Sequence, residues 1–350
     1  MMEILEGNKI DRETWDGMIK GSTTASWFQS YEAYCFFDSL SFLEAFCFGG
    51  VSQNKLKGVV VGYIQKDGGR LKQFFSRRAI ILGGPLLSDD ITDAELEFFL
   101  SSLRNQLKKK AIFIETRNFH DYSAWRLVFE HSGFSYEPHY DVIVTTSSVE
   151  EIDKKLDRNR RRNIKKALEN GIVIEENPDA SELKRFYSML EDLYVTKVKT
   201  PLFPYEFFEK LYAMPSSLFL MAKDQGGTLL GGLVCVKMEN NSVYAWYACC
   251  DDQNYRVLSP SVMVNYAGIC YAANHGMTRF DFMGAGKPDD GGYGVRDFKL
   301  KFGGDLVFNL GYLFASVLSS WGYLKIFFCV KSLLLLLLSG FSRVRLCVTP

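Results

Sequence analysis

The stretch LFLMAKDQGGTLLGGLVCVKMENNSVYAWYACC, residues 218–250, has the pattern of three consecutive β-strands joined by two tight turns. Apolar and β-branched residues fill the three segments, and the pairs Gly226-Gly227 and Asn240-Asn241 separate them. Such pairs are typical of β-hairpin turns because glycine and asparagine tolerate positive φ angles. The stretch therefore predicts three sequential strands in one sheet.

Helices and further strands are predicted on both sides of this stretch. Upstream we expect a helix over 150–171, a strand over 172–176, and helices over 180–197 and 204–214. Downstream we expect a helix over 260–276, a strand over 278–284, a helix near 295–303 and a last strand over 306–314. Alternation of these elements predicts a mixed α/β domain with a central sheet.

The first ~140 residues follow the same order of elements. Strands are predicted at KLKGVVVGYIQ (55–65), AIILGGPLL (79–87), AIFIETRNF (111–119) and YDVIVTT (140–146), and helices at 93–110 and 122–134. The two halves meet near residue 145 and resemble each other in element order, although no sequence repeat is visible. We therefore expect two domains of similar fold.

Composition excludes several classes of protein. The chain of 350 residues has 41 basic and 41 acidic side chains, so its surface is not generally basic, as that of a protein coating nucleic acid would be. The first fifteen residues contain no apolar run of the secretory type, which predicts a cytoplasmic protein. The eight cysteines form no C-x-x-C pair and lie mostly among apolar residues, which favours buried thiols over disulfides or zinc ligands.

The densest local charge lies between residues 154 and 166, where eight basic side chains accompany one acid, Asp157. On a helix, Arg160 would fall on the apolar stripe, so either the helix breaks near Asn159 or Arg160 points inward to a partner. Guanidinium groups match phosphate oxygens, so the segment predicts a phosphate site. The alternative is a solvated basic face.

A second segment of interest is RFDFMGAGKPDDGGYGVRDFKLKFGG, residues 279–304, which has seven glycines from position 284 onwards. It matches neither of the common glycine-rich nucleotide motifs. It does combine a strand that ends in Asp281, a loop able to close over a substrate, and a helix that presents Lys299. The alternative is that Asp281 and Lys299 form a buried ion pair.

Motifs for a catalytic nucleophile or a metal are absent from the sequence. There is no G-x-S-x-G and no H-E-x-x-H, and the four histidines share no ligand spacing. We expect no metal, and catalysis by positioning of the substrates rather than by a triad.

Several stretches resemble the FemA/FemB-like aminoacyltransferases that build peptidoglycan cross-bridges. They are RRNIKKALENGIVIEE (161–176), LKRFY (183–187), YAWYACC and the residues that follow it (244–285), and GVRDFKLKFGG (294–304). The resemblance covers roughly 147–312, with looser matches near residue 30 and at 111–146. The family pattern R-x-x-I-[RK]-x-A falls on Arg161 and Lys165, and F-K-x-x-F-G falls on Phe298, Lys299, Phe302 and Gly303.

The resemblance implies two tandem GNAT-like (acetyltransferase-like) domains with mixed central sheets. Family members transfer an amino acid from aminoacyl-tRNA to an amine of a peptidoglycan precursor at the cytoplasmic membrane face. Two departures bear on the donor. Some members carry a long coiled-coil arm that is associated with tRNA, and residues 180–230 are too few to form one. The usual acyl-CoA pyrophosphate loop is replaced by Arg256-Val-Leu-Ser259-Pro260-Ser261, in which Pro260 has no N–H.

We therefore expect an N-acyltransferase with no bound cofactor, acting on an envelope precursor and using aminoacyl-tRNA as donor. Alternatives are an acyl-CoA-dependent N-acetyltransferase of amino sugars and a non-catalytic, membrane-associated binding module. The predicted catalytic residues are Asp281, to orient the acceptor, and Lys299, to stabilise charge at the ester carbonyl or a phosphate. The predicted substrate-binding residues are Arg161, Arg162, Lys165, Tyr247, Arg256, Phe302 and Gly303. The predicted domains are 1–146 and 147–315, followed by a tail at 316–350.

The tail is apolar and basic. No acid occurs after Asp305, whereas four basic residues do, and Leu333 to Leu338 form an unbroken leucine run. We expect a helical tail that lies on an anionic membrane surface at the inner face of the cell membrane. A spanning helix and a helix packed on the protein's own core are the alternatives.

Overall fold

The structure is a computed structural model that describes residues 2–65, 77–289, 291, 294–307 and, as backbone, 311–316. Its helices are α1 (Arg12–Gly21), α2 (Tyr31–Ser39), α3 (Asp93–Leu107), α4 (Arg126–His131), α5 (Val149–Lys155), α6 (Arg158–Glu169), α7 (Ala180–Leu193), α8 (Tyr205–Tyr212), α9 (Pro260–Asn274) and α10 (Gly294–Leu300). The predicted tail, residues 317–350 above all, lies outside the described residues.

The described strands form two mixed sheets, which confirms the predicted α/β class. The strands are β1 (Glu3–Glu6), β2 (Leu43–Ser52), β3 (Lys55–Gln65), β4 (Arg78–Gly83), β5 (Leu86–Leu87), β6 (Phe113–Asn118), β7 (Ser135–Pro138), β8 (Asp141–Thr145), β9 (Val173–Glu176), β10 (Ser217–Lys223), β11 (Leu229–Met238), β12 (Ser242–Cys250), β13 (Arg279–Asp281), β14 (Asp305–Val307) and β15 (Gly311–Ser316). The first sheet has the order β1-β2-β3-β4-β6-β15-β7, with β5 on β3, and the second has the order β14-β8-β13-β12-β11-β10-β9.

The three strands of 218–250 form as predicted. β10, β11 and β12 pair antiparallel in sequence order. The turns contain Gly227 at φ +81° and Asn240 at φ +56°, the left-handed region that these residue types tolerate best. Local sequence therefore determines this part of the second sheet.

Each half of the chain contributes a strand to the sheet of the other half. β8 precedes the predicted boundary at residue 146, yet it pairs with β13 and β14 of the second sheet. β15 pairs with β6 and β7 of the first sheet, whereas β14 belongs to the second. The predicted single strand over 306–314 is therefore wrong, because the chain passes from one sheet to the other within it.

An aromatic core joins the two halves. Trp246 of β12 packs edge-on against Phe28, with ring centroids 4.9 Å apart, and against Phe207 of α8 at 5.0 Å. Phe36 of α2 in turn contacts Phe207 at 5.2 Å. Offset and edge-to-face aromatic pairs add ~0.5–1.5 kcal/mol each beyond the burial of their area. This shared core fixes the position of the first sheet relative to β12.

The helix predicted over 150–171 is divided into two. α5 ends at Lys155, and α6 begins at Arg158 with Asp157 as its N-cap, whose carboxylate accepts from the Asn159 N–H at 2.9 Å. Arg160 is 5% exposed and points inward. The two expected alternatives, a break near Asn159 and an inward Arg160, therefore occur together.

Candidate active site

A cleft opens in the second sheet where β12 and β13 separate. The two strands run parallel over three residues, Ser242–Tyr244 beside Arg279–Asp281, after which β12 continues to Cys250 and β13 ends. The space between them is a cavity of about 540 Å³ lined in part by Trp246, Asn265 and Lys299. We call it the second-domain cleft. Diverging parallel strands leave backbone groups free to bind a ligand.

The N-terminus of α9 faces this cleft but has few N–H groups to offer. Pro260 has none, and the Ser261 N–H donates to the carboxylate of Asp252 at 3.1 Å. The N–H groups of Val262 and Met263 both donate to the Ser259 carbonyl oxygen. A helix N-terminus ordinarily attracts a phosphate or another anion. Here the Asp252 side chain occupies that position.

A second cavity, of about 310 Å³, lies between the two halves of the chain. The first sheet contributes Arg78 of β4 and Arg117 of β6 to its lining, and β8 contributes Asp141. Aromatic side chains, among them Tyr63 and Tyr247, form much of the remaining wall. We call it the inter-domain cavity. Its mixture of apolar wall and a few charged groups is typical of a small-molecule site.

The two cavities share a wall made of Trp246 and Met283, which line both. Met283 has φ +54°, a left-handed conformation that is strained for a residue with a side chain. Its N–H donates to Asp281 Oδ1 at 2.7 Å. Lys299 Nζ donates to the carbonyl oxygens of Phe282 and Gly284, the two residues that flank Met283. The predicted pair Asp281 and Lys299 therefore holds the segment that separates the two cavities.

Asp281 lies beside a second buried carboxyl group, that of Asp141, whose charge acts on it. Asp281 is completely buried and Asp141 is 4% exposed, and Asp141 Oδ1 accepts from the Gly284 N–H at 2.8 Å. Burial, followed by the charge of Asp141, raises the pKa of Asp281 well above its ordinary value. Burial also raises the pKa of Asp141, although Lys299 opposes that shift. Two adjacent buried carboxyls share a proton more readily than they carry two charges.

Lys299 is a half-buried cation next to this pair rather than a direct partner of Asp281. Burial lowers the pKa of Lys299, and the charges of Asp141 and Asp281 raise it. Its ammonium group bonds to the two carbonyl oxygens of the shared wall, so the alternative of a direct Asp281–Lys299 ion pair does not describe its contacts among the residues that the structure describes. The charge of Lys299 is therefore held at the boundary of the second-domain cleft.

The basic segment is partly buried and partly free to bind a ligand. Arg160 lies between two aromatic rings, 4.4 Å from that of Phe298 and 4.3 Å from that of Phe302, and Nη2 donates to the Phe298 carbonyl oxygen at 2.8 Å. Arg161, Arg162 and Lys165 are exposed on α6. Arg160 thus anchors α6 to α10. The three other side chains are exposed, and Arg161 Nη2 donates to the carbonyl oxygens of Lys154 and Leu156.

The remaining predicted residues have different environments. Tyr247 lines the inter-domain cavity, and burial raises its pKa well above the ordinary value. Arg256 is exposed in the loop before α9. Phe302 is completely buried, and Gly303 has φ +79° and leaves no room for a Cβ atom, which would lie 2.6 Å from the Lys155 backbone. Phe302 and Gly303 therefore belong to the packing around α10, and neither lines one of the two cavities.

Sequence reasoning missed the charged groups of the inter-domain cavity. Glu115 and Arg117 belong to the polar run ETRN (115–118) within IFIETRNF, which is an unusual pattern for a buried strand and was a usable signal. Asp141 at the start of a buried strand was a weaker one. Arg78 gave no signal, because one more arginine at the start of a strand is unremarkable.

Comparison with known proteins agrees with this geometry. Residues 154–299 match the acetyltransferase (GNAT) domain family. FemX has a similar structure, with a TM-score of 0.68 and 16% identity over 89% of this chain and 96% of its own. A tandem GNAT protein from the clavulanic acid biosynthesis pathway aligns with a TM-score of 0.60, 10% identity, and coverage of 91% and 100%. The corresponding values for L-PGS from Bacillus licheniformis are 0.56, 12%, 90% and 95%.

These similarities define an acyltransferase with the tandem GNAT fold. The predicted FemA/FemB-like, GNAT-like fold and the predicted acyltransferase class are confirmed. Among curated proteins, no sequence matches this chain significantly.

Within the described residues, no helix is long and apolar enough to cross a membrane. The same part of the chain contains no group of three or more His, Cys, Asp or Glu side chains placed to hold a metal ion.

Proposed function

We propose that the protein transfers an aminoacyl group from aminoacyl-tRNA to an amine of a cell-envelope precursor. The observation that carries the proposal is the shared wall of Trp246 and Met283 between two cavities. A donor in the second-domain cleft and an acceptor in the inter-domain cavity would lie close together, on the two sides of this wall. Bringing two reactants together in this way supplies much of the catalysis in a reaction that needs no covalent intermediate.

The charges around the wall suit the chemistry of aminoacyl transfer. An attacking amine must lose a proton, and the ester carbonyl oxygen gains negative charge in the transition state. Lys299 lies on the side of the second-domain cleft and would stabilise that charge. Asp281 would orient the acceptor through Asp141 and the segment that ends in Gly284.

The α9 N-terminus favours tRNA over acyl-CoA as the donor. The Asp252 carboxylate accepts a hydrogen bond from the Ser261 N–H, and its negative charge would repel a pyrophosphate at that position. The exposed Arg161, Arg162 and Lys165 offer a phosphate-binding surface instead. They would bind the phosphates of tRNA or the pyrophosphate of a lipid-linked acceptor. Arg256 would add to this surface from the loop before α9.

A thermal-shift comparison tests the choice of donor. Ligands that bind the native state raise its melting temperature. We expect stabilisation by aminoacyl-tRNA, less by deacylated tRNA, and none by acetyl-CoA. Stabilisation by acetyl-CoA alone would instead support the second candidate, an acyl-CoA-dependent N-acetyltransferase of an amino sugar, which the matched acetyltransferase family favours. Stabilisation by neither donor, but by anionic lipid or uncharged RNA, would support a non-catalytic module.

We also propose that the protein works at the inner face of the cell membrane. The sequence after Asp305 has four basic residues and no acid, together with the leucine run 333–338. Such a segment has an apolar contribution and an electrostatic contribution to binding of anionic lipid. A lipid-linked acceptor would then lie close to the enzyme.

A further inference from the structure

The inter-domain cavity has charged groups of opposite sign on its two sides. On the side of the first sheet are Arg78 and Arg117, and on the side of the second sheet is Asp141. Both arginines act on the same group, Tyr63, because the charge of each lowers a pKa that burial raises to about 12. The two guanidinium groups therefore affect one region of the cavity although they come from different strands.

The positive side consists of two guanidinium groups. Arg117 Nε is 2.5 Å from Glu115 Oε1. Arg78 Nη2 donates to Gln65 Oε1 at 3.5 Å. Guanidinium groups in a cavity with apolar walls bind carboxylate and phosphate well, because both kinds of anion accept two parallel hydrogen bonds.

The negative side is the Asp141–Asp281 pair. Asp281 is completely buried behind Asp141, and no hydrogen-bond donor within the described residues meets its Oδ2 atom. If Asp281 is protonated and donates this proton to Asp141, its Oδ2 atom no longer needs a donor. The pair then carries one negative charge. Asp141, which lines the cavity, is the carboxyl that a ligand can reach.

We propose that the inter-domain cavity binds a primary amine that also carries a carboxylate or phosphate group, with the anion on Arg78 and Arg117 and the ammonium group on Asp141. The inference rests on the proposed function and names the class of its acceptor. It requires the amine and the anion to belong to one molecule, such as an amino acid residue with a free carboxylate or an amine next to a phosphate.

The charge on the pair also gives the amine proton a destination. The ammonium group transfers one proton to Asp141, and the free amine then forms an N–C bond with the ester carbonyl carbon. The C–O bond of the ester breaks as the second proton leaves the nitrogen for the departing oxygen. The proton on Asp141 returns to solvent after the product leaves, so the pair is unchanged over one cycle.

Binding of small probes to the full chain tests this inference without a donor. The probes are 4-aminobutyrate, 6-aminohexanoate and 8-aminooctanoate, 6-aminohexyl phosphate, and the monofunctional hexylamine and hexanoate, measured by ligand-observed NMR. We expect at least one bifunctional probe to bind about tenfold more tightly than either monofunctional one. Comparison of 6-aminohexanoate with 6-aminohexyl phosphate distinguishes a carboxylate from a phosphate as the preferred anion.

Two variants make the test specific. R78Q with R117Q should abolish the advantage over hexylamine, and D141N should abolish the advantage over hexanoate. K108A is the control for a lost surface charge and should change neither of these two affinity differences. Equal affinity of bifunctional and monofunctional probes, or no binding of any bifunctional probe, would overturn the inference. Probe binding without any aminoacyl transfer would instead contradict the proposed function and leave the inference standing.

Discussion

Asp281 and Asp141, 140 positions apart in the chain, form a pair of buried carboxyl groups at the boundary between two cavities, and the charge of Asp141 raises the pKa of Asp281. The contact is made by β8, which leaves the first half of the chain to enter the second sheet beside β13. The exchange of this strand therefore creates the carboxyl pair. It also places that pair next to the segment with Met283 that separates the proposed donor and acceptor sites.

The Asp141–Asp281 carboxyl pair predicts how the free energy of unfolding depends on pH. Because the native pKa of Asp281 is raised, its contribution to the free energy of unfolding is fully present below the unfolded-state pKa and is lost as the pH rises towards the native one. Asp281→Asn keeps a donor for Asp141 and cannot ionise. In urea unfolding over a series of pH values, we expect the stability of the variant to decline less with rising pH than that of the wild type.

Asp289→Asn, an exposed substitution of the same kind, is the control for this measurement. It should follow the wild-type curve. Parallel pH dependence of Asp281→Asn and the wild type would show that Asp281 is not protonated in the native state.

The stacking of Arg160 between Phe298 and Phe302 predicts a structural role for one cation of the basic segment. Arg160→Ala removes both ring contacts and the bond to the Phe298 carbonyl oxygen, and we expect a loss of ~2–3 kcal/mol in the free energy of unfolding. Arg162→Ala, just over half a helical turn away and exposed, should cost less than ~0.5 kcal/mol. Equal effects in denaturant titrations would contradict the assignment.

The exposed arginines of α6 predict an effect on substrate binding. Replacing Arg161 and Arg162 by alanine should raise the KM for the phosphate-bearing substrate ~10-fold or more, because each charge-assisted bond is worth ~1.5–3 kcal/mol. The melting temperature should change little. Replacing Lys108 and Lys109, two exposed cations beyond α3, by alanine makes the same change of net charge elsewhere. If the kinetics of both double variants match those of the wild type, α6 has only a solvated basic face.

Lys299 predicts an effect on turnover. Lys299→Met keeps most of the side-chain volume and removes the charge, so kcat should fall ~10-fold or more while the melting temperature falls less than in Lys299→Ala. Lys301→Met, at a neighbouring exposed position, is the control and should have wild-type kinetics. A loss of kcat that merely follows the loss of folded protein would make Lys299 structural, through its bonds to Phe282 and Gly284.

The basic, leucine-rich end of the sequence predicts peripheral membrane binding. Deleting residues 320–350 spares β15 and should release the protein from anionic vesicles while the transferase unit stays folded. Six buried leucines would contribute ~1.5–3 kcal/mol each and each cation ~1 kcal/mol, so high salt should weaken the binding of the full chain only partly. Neutral vesicles are the control in a sedimentation assay. Unfolding of the truncated protein, or its undiminished binding, would contradict this prediction.

Local signals explain what could be predicted from the sequence. The turns at Gly226-Gly227 and Asn240-Asn241 fix the hairpins of the second sheet, and the position of Arg160 on an apolar stripe predicts its inward orientation. These features depend on residues close together in the chain. Lys299 and Asp281 could be proposed as site residues because both belong to one glycine-rich segment.

Long-range pairing explains what could not be predicted. The exchange of β8 and β15 between the sheets depends on partners more than 100 residues away, for which no short pattern exists. Asp141, Arg78 and Arg117 form one cavity because of that exchange, and each alone is an ordinary charged residue. A site at the junction of two domains is therefore less visible in sequence than a site within one loop.

Transfer of a radiolabelled amino acid tests whether aminoacyl-tRNA is the donor of this protein. The purified full chain is incubated with a lipid-linked peptidoglycan precursor and either labelled aminoacyl-tRNA or labelled acetyl-CoA. We expect label from aminoacyl-tRNA to enter the precursor in an amide bond that resists mild alkali, and Lys299→Met to slow this transfer ~10-fold or more. Label that enters from acetyl-CoA and not from aminoacyl-tRNA, or transfer from tRNA that is unchanged in Lys299→Met, would contradict this expectation.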